Sequence, residues 1–155
     1  MTGYRFNTAP ELRVGLGTSR EVGAYCAQLG IKRPLLVTDP GLVAVGLVAP
    51  AQEAMAARCE HVGLFSEVTA DPAESVVLDA LAMLQAGEAD GVVGLGGGSS
   101  MDVAKAIAVL AAGSQTLIEA YGVDQVAGGR LPLILIPTTA GTGSEVTPVA
   151  VITTG

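Results

Sequence analysis

The chain has 155 residues, 50% of them hydrophobic, 15% charged and 3% aromatic, with a formal net charge of −7. A chain of this length buries roughly two-thirds of its unfolded surface, enough for a single domain over 1–155 without a disulfide or metal staple. No apolar run approaches the ~18 residues needed to span a bilayer, and no Lys/Arg cluster could track a phosphate backbone, so neither a membrane nor nucleic acid is an expected partner. Nor does a basic-then-apolar leader open the chain, so no signal peptide is expected. Cys26 and Cys59 form an isolated pair without CxxC spacing, as expected in a reducing cytoplasm. His61 is the single histidine, too few for a His-rich metal site.

Thr18 and Glu21 have capping-box spacing and open a predicted helix whose stripe is Val22, Cys26 and Leu29, stopped by Gly30. Leu35–Thr38 is the first predicted strand. Between Asp39 and Cys59, Gly46 and Pro50 suggest a short helix, a break, and a second helix carrying Ala51, Met55 and Arg58. A second strand is predicted at His61–Phe65. Asp71, ahead of Pro72 and three before Glu74, reads as the cap of a helix facing the core through Val77, Leu81 and Leu84 and ended by Gly87. Gly91–Leu95 is the third strand, and Val103, Ala106, Ile107 and Leu110 line the helix after Ser99, which ends near Gly113. Leu133–Ile136 is the fourth strand, and Val149–Ile152 reads as one more. Short apolar strands alternating with amphipathic helices define an α/β fold, a Rossmann-like, doubly wound, mostly parallel sheet with helices on both faces.

In such a sheet the segments after the strands converge on the carboxyl edge, where doubly wound folds bind ligands. Here they are Asp39-Pro40-Gly41, then Gly96-Gly97-Gly98-Ser99-Ser100-Met101-Asp102, then Pro137 through Glu145. Three consecutive glycines let a backbone approach an anion closely, and the following helix points free N–H groups and its positive dipole end at it. A tight turn with Ser99 merely capping the helix is the plainer alternative. The turn is neither a GxGxxG, since counting from Gly94 or Gly96 gives no clean match, nor a P-loop, since no GK[ST] follows. Gly15-Leu16-Gly17 reads as an ordinary tight turn. Asp39 is either a helix N-cap or a ribose-binding carboxylate. In the second role it would repel a 2′-phosphate ~4 Å away by roughly 4 kcal/mol at an effective dielectric of about 20, favouring NAD over NADP. Asp102 is either a structural cap or a ligand contact. Lys105 reads as a solvated helix residue or a neutraliser of nearby charge. The loop Thr138–Ser144 offers four hydroxyl groups and two glycines in seven residues, suited to a polar ligand. Nothing reads as a catalytic acid, base or nucleophile: Cys26 falls on an apolar helix face, and His61 reads as a surface or packing residue.

These segments resemble the iron-containing (group III) alcohol dehydrogenase family of the dehydroquinate-synthase-like superfamily. Gly96 to Lys105 is similar to the family's GGGSxxDxAK, and Pro137–Thr147, PTTAGTGSEVT, and the Asp39 of VTDPGL match its other motifs. The resemblance runs from about Tyr4 onward and covers the family's N-terminal nucleotide-binding domain only. It implies that Gly97, Gly98 and Ser99 contact a cofactor pyrophosphate. Thr138, Thr139 and Ser144 would lie along the pyrophosphate and nicotinamide side, with Asp39 on the adenosine ribose and Asp102 near the nicotinamide. Ser99, where related glycerol dehydrogenases place Lys, favours the alcohol dehydrogenase branch.

The same resemblance implies an oxidoreductase moving hydride between NAD and an alcohol or its aldehyde. The family's metal, Fe²⁺ or in some members Zn²⁺, is held by an aspartate and three histidines of a C-terminal helical domain whose positions are not in this chain. The expectation is therefore a nucleotide-binding part, truncated from a longer two-domain protein, that is not active by itself. An inactive dinucleotide-binding fragment is the alternative; a lyase or cyclase of the superfamily using NAD as transient oxidant is disfavoured by PTTAGTGSEVT. Exposed apolar surface could drive association into a homo-oligomer.

Overall fold

The computed structural model describes residues 8–154. Four parallel strands, β1 (Pro34–Val37), β2 (Gly63–Phe65), β3 (Gly91–Gly96) and β4 (Leu133–Pro137), form a sheet in the order β2-β1-β3-β4. Registers pair Leu36 with Leu64 and Val93, and Leu95 with Ile136. The chain leaves β1 to build β2 on one side and β3 on the other, so the strand order reverses between β1 and β3. β1 and β3 are buried along their whole lengths, whereas β4 is only half-buried.

Five helices cover the sheet: α1 (Val22–Gln28), α2 (Pro40–Ala44), α3 (Ala49–Ala56), α4 (Glu74–Ala86) and α5 (Gly98–Ala112). Because side chains alternate along a strand, each strand feeds two cores. Leu35, Val37 and Val92 pack with Val77, Ala80 and Leu84 of α4 and Val103, Ala104 and Ile107 of α5. Leu36, Val93 and Leu95 pack on the other face with Val22 and Cys26 of α1 and Ala51 and Met55 of α3. Among the described residues no helix is long and apolar enough to cross a membrane.

The helix stops follow the predicted chemistry more closely than the starts. Gly30 is left-handed (φ 74°), and the Ile31 and Gly30 amides donate to Cys26 O (2.8 Å) and Ala27 O (3.2 Å), the Schellman pattern. That turn carries Ile31 into the core and leaves Leu29, expected on the buried stripe, 49% exposed. Gly46 (φ 75°) ends α2 in the same way. After α4 it is Glu88, at φ 47°, and not Gly87 that takes the left-handed position.

Three predicted caps are not caps. Thr18 begins a 3₁₀ turn over Thr18–Glu21 and donates its hydroxyl to Gly15 O at 3.1 Å, so the capping box does not form. Asp71 lies in a left-handed turn (φ 47°) and Ala73 occupies the cap of α4. Gly97 is the cap residue of α5, placing Ser99 inside the helix. Arg58 falls just beyond α3, and His61 lies outside the shorter β2 and is exposed. Val149–Ile152 is not a strand: among the described residues it pairs with no strand of the sheet, and an isolated parallel bridge between Ala73 and Thr153 follows it.

Gly23 carries the contact of α1 with α3. A Cβ there would stand 1.9 Å from the backbone oxygen of Ala54, so the helices touch main chain to side-chain-free main chain. Gly23→Ala should lower stability by at least about 1 kcal/mol through overpacking, although helix propensity alone favours Ala by about 1 kcal/mol. Urea denaturation decides between the two signs. Cys26 is fully buried, and that burial pushes its thiol up to about 12 from 9.0. Above pH 9 the unfolded chain releases a proton that the folded chain keeps, so stability should fall between about pH 9 and 12. A Cys26→Ala variant should lose that part of the decline when unfolding is followed against pH.

Candidate dinucleotide-binding cleft

The carboxyl edge of the sheet holds a cleft of about 540 Å³ at the point where the strand order reverses. Of the predicted site residues, Asp39, Gly97, Gly98, Ser99, Thr138 and Thr139 line it together. Its remaining wall includes Val68, Thr69 and Ala70, which the sequence reading did not single out. They follow β2, so the rule that placed the other loops at this edge would have found them too.

The three glycines do different things. Gly96 has φ 154°, and a Cβ on it would stand 2.6 Å from Ser100 Oγ; glycine is required there by the turn from β3 into α5. Gly97 has φ −78°, an ordinary value, and a Cβ would meet nothing nearer than Thr139 at 3.5 Å. Gly98 is equally unhindered, with Thr142 at 3.5 Å. Neither backbone geometry nor packing asks for glycine at 97 or 98. What the two missing side chains leave is open backbone at the amino end of a 15-residue helix whose cap residue supplies no side-chain hydrogen bond. Free N–H groups and the positive end of the dipole point there, a fit for an anion such as a diphosphate.

Asp39 caps α2, its Oδ1 accepting from the Leu42 amide at 3.0 Å. Its Oδ2 lies on the Gly96 side, 3.4 Å from where a Cβ would stand. The cap role and the cleft position are thus compatible, one oxygen serving each. Asp39 is also the single ionisable side chain in the lining.

Asp102 and Ser144, expected beside the ligand, do not line the cleft. Asp102 lies one turn into α5, buried under the loop after β4, and pairs with Lys105 at 2.8 Å with both side chains about nine-tenths buried. Ser144 Oγ donates to Asp102 Oδ1, and the Val151 amide donates to Oδ2 at 3.1 Å. Lys105 is therefore not a solvated residue. Its Nζ donates to the carbonyls of Ser144 (2.8 Å), Thr147 (3.4 Å) and Val149 (2.5 Å) and to Ser144 Oγ (3.3 Å). Removing one charge of such a buried pair leaves the other uncompensated, at a cost on the order of 3–5 kcal/mol.

A second cleft, about 440 Å³, lies at the opposite end of the sheet, lined by Arg33, His61 and Met83, and holds none of the predicted site residues. Among the described residues no three His, Cys, Asp or Glu side chains come together to hold a metal ion.

A parallel α/β sheet with a glycine-opened helix end at its switch point defines a doubly wound class of fold that binds ligands at this edge. Residues 9–155 match the family model described as iron-containing alcohol dehydrogenase, and the chain belongs to that family. It is 44% identical over 146 residues to a 4-hydroxybutyrate dehydrogenase of Cupriavidus necator, covering 91% of this chain and 37% of that protein. The crystal structure of a 1,3-propanediol oxidoreductase superposes with a TM-score of 0.94 at 31% identity, over 99% of this chain and 40% of its own. A sulfoacetaldehyde reductase from Bifidobacterium kashiwanohense, solved in complex with NAD+, superposes at 0.88 with 28% identity, over 99% of this chain and 41% of its own. The chain thus spans about two-fifths of the length of these relatives. The donor set for the iron of the family's name is not offered by the described residues.

Asp39→Ala should cost about 1 kcal/mol in urea denaturation through loss of the α2 cap, whereas Asp39→Asn, which keeps the acceptor, should cost a few tenths. Equal losses for the two would show that the charge and not the cap matters to folding.

Proposed function

We propose that the chain is the dinucleotide-binding domain of an NAD-dependent alcohol oxidoreductase, which moves hydride between an alcohol carbon and the nicotinamide ring. The observation that carries this reading is the cradle at Gly97 and Gly98, glycines that neither backbone geometry nor packing explains. When bound, NAD supplies the ring that accepts the hydride. The chain's residues bind and orient: the amides of the first turn of α5 meet the diphosphate, and Ser99, Thr138 and Thr139 add hydroxyl donors along it. Asp39 accepts from the ribose hydroxyls of the adenosine half, and its charge disfavours a 2′-phosphate there, so NAD is preferred to NADP. The free thiols of Cys26 and Cys59 suit a reducing cytoplasm.

A dinucleotide-binding fragment without turnover of its own is the second reading. It is favoured by the lining, where Asp39 is the one ionisable side chain and no acid or base is poised for proton transfer. In either case alcohols and aldehydes are the substrate class of the whole enzyme.

Titration of the chain with NADH, followed by nicotinamide fluorescence, tests the cradle. Gly97→Val should weaken binding at least tenfold while changing the unfolding free energy by no more than about 1 kcal/mol, since only a cap preference is lost. Undiminished affinity in that variant would refute the reading. Added ferrous or zinc ion and short alcohols should produce no NADH with this chain alone; measurable turnover would reject the second reading.

A further inference from the structure

We propose that Asp102 and Lys105 are positioning residues, a buried ion pair that clamps residues 144–151 onto α5 beyond the β4 side of the cleft, where the nicotinamide half of a bound dinucleotide would reach, without touching the ligand. The inference rests on the dinucleotide reading above. Asp102 and Lys105 stand three apart on α5 and so project from one face of the helix. An ammonium has three N–H donors, and Lys105 Nζ already faces five oxygens: Asp102 Oδ1, Ser144 O and Oγ, Thr147 O and Val149 O. Asp102 is equally committed, one oxygen to Lys105 and the Ser144 hydroxyl, the other to the Val151 amide. Every N–H of Lys105 and three of the acceptor sites of Asp102 are thus engaged within the protein, and neither side chain lines the cleft.

The segment they hold has little else to fix it. It contributes no strand or helix, Val149 and Val151 are 58% and 70% exposed, and its internal backbone bonds are those of one turn, Val146 N and Thr147 N to Gly143 O. A packed apolar face does not place this loop; three carbonyls converging on one buried cation do. Its location gives the clamp a direction. Asp39 marks the β1 side of the cleft and Thr138 and Thr139 the β4 side, with the diphosphate cradle between. A dinucleotide with its adenosine ribose at Asp39 therefore extends toward the clamped loop with its nicotinamide half.

Hydrogen exchange and ligand binding, measured on the 155-residue chain, test the two halves of the proposal separately. Lys105→Met keeps the stem and removes the ammonium; Val151→Pro, at an exposed position, removes one amide donor and leaves both buried charges paired, so it survives if Lys105→Met fails to fold. In either variant, amides of residues 144–151 should exchange at least tenfold faster while those of β1 and β3 are unchanged. NADH affinity should fall several-fold and ADP affinity stay within twofold, a split that general destabilisation would not produce. Unchanged exchange in 144–151, or ADP and NADH affinities lost in parallel, overturns the proposal. If the unmodified chain binds neither nucleotide, the dinucleotide reading fails and the nicotinamide-side placement with it, while the exchange data still decide the clamp.

Discussion

Everything at the carboxyl edge depends on how closely α5 lies against β3. Gly94 faces the helix, and a Cβ on it would stand 2.8 Å from Ala104 Cβ, 3.0 Å from Leu135 and 3.4 Å from Met101 Cα. With no side chain at 94 the helix settles onto the central strand. Gly96 then lets the chain turn straight from strand into helix, with Ser100 occupying the space its side chain would need. These two contacts aim the amino end of α5 at the gap between β1 and β3, where the strand order reverses. A helix standing off by the thickness of a methyl group would carry its free amides away from Asp39 and from Thr139. Burial of Val92, Val93 and Leu95 on alternate faces of β3 fixes the strand itself, so the helix end is held by a rigid element on both sides of the sheet.

The same helix meets a second demand one turn later. Its buried face carries Val103, Ala104 and Ile107 into the apolar core, yet Asp102 and Lys105 are buried too. A charge pair in that environment costs desolvation that Coulomb attraction alone barely repays, unless the remaining valences are filled. The loop after β4 fills them with backbone groups. The polar contacts thus run in both directions: the loop's carbonyls and one amide make the ion pair tolerable, and the pair gives order to a loop whose apolar anchoring in the core is Ile152, at its far end. Thr153 continues the attachment, its amide donating to Pro72 O at 2.9 Å and its hydroxyl to Asp71 O at 3.1 Å, which ties the same segment to the approach to α4.

How much of this was legible in the sequence follows from the range of each interaction. The strands emerge within a residue or two because a short apolar run buried on both faces leaves little freedom, and Gly30 and Gly46 stop helices because a left-handed residue is a local need. Caps are less legible. Thr18, Asp71 and Ser99 have the right spacing, but each helix begins where packing against the sheet allows, and only Asp39 among the suggested caps bonds to its helix. Lys105 is the clearest miss. A lysine on a helix is ordinarily solvated, and what buries this one lies 39 to 44 residues further on, in carbonyls whose convergence no side-chain pattern announces. Val149–Ile152 fails for the mirror-image reason: its apolar run suits a strand, but it pairs with no strand of the described sheet, and its backbone is spent on Asp102 and Lys105 instead. Of the cleft residues, those carried by unusual composition (three glycines, a hydroxyl-rich loop) were found, and the unremarkable Val68-Thr69-Ala70 was not.

On the proposed reading the cleft's chemistry is recognition, and the composition of its lining suits that role. Hydride transfer needs no acid or base to hold the dinucleotide, only a surface that fixes its two phosphates and its sugar and keeps the reacting ring in one orientation; positioning of that kind contributes to a rate by removing orientational freedom before the reaction starts. Backbone amides, hydroxyls and a single carboxylate do this without placing a titrating group near the ring. Proton transfer to or from an alcohol oxygen is a separate demand, and the lining offers nothing for it besides Asp39, whose carboxylate is already committed on one oxygen to the α2 cap. If the cleft holds a dinucleotide as proposed, its lining serves binding, and proton chemistry falls to groups outside that lining. The proposed role would also account for glycine where backbone geometry does not need it: at Gly97 and Gly98 the useful property would be the absence of a side chain, since any Cβ there narrows the open backbone at the end of α5.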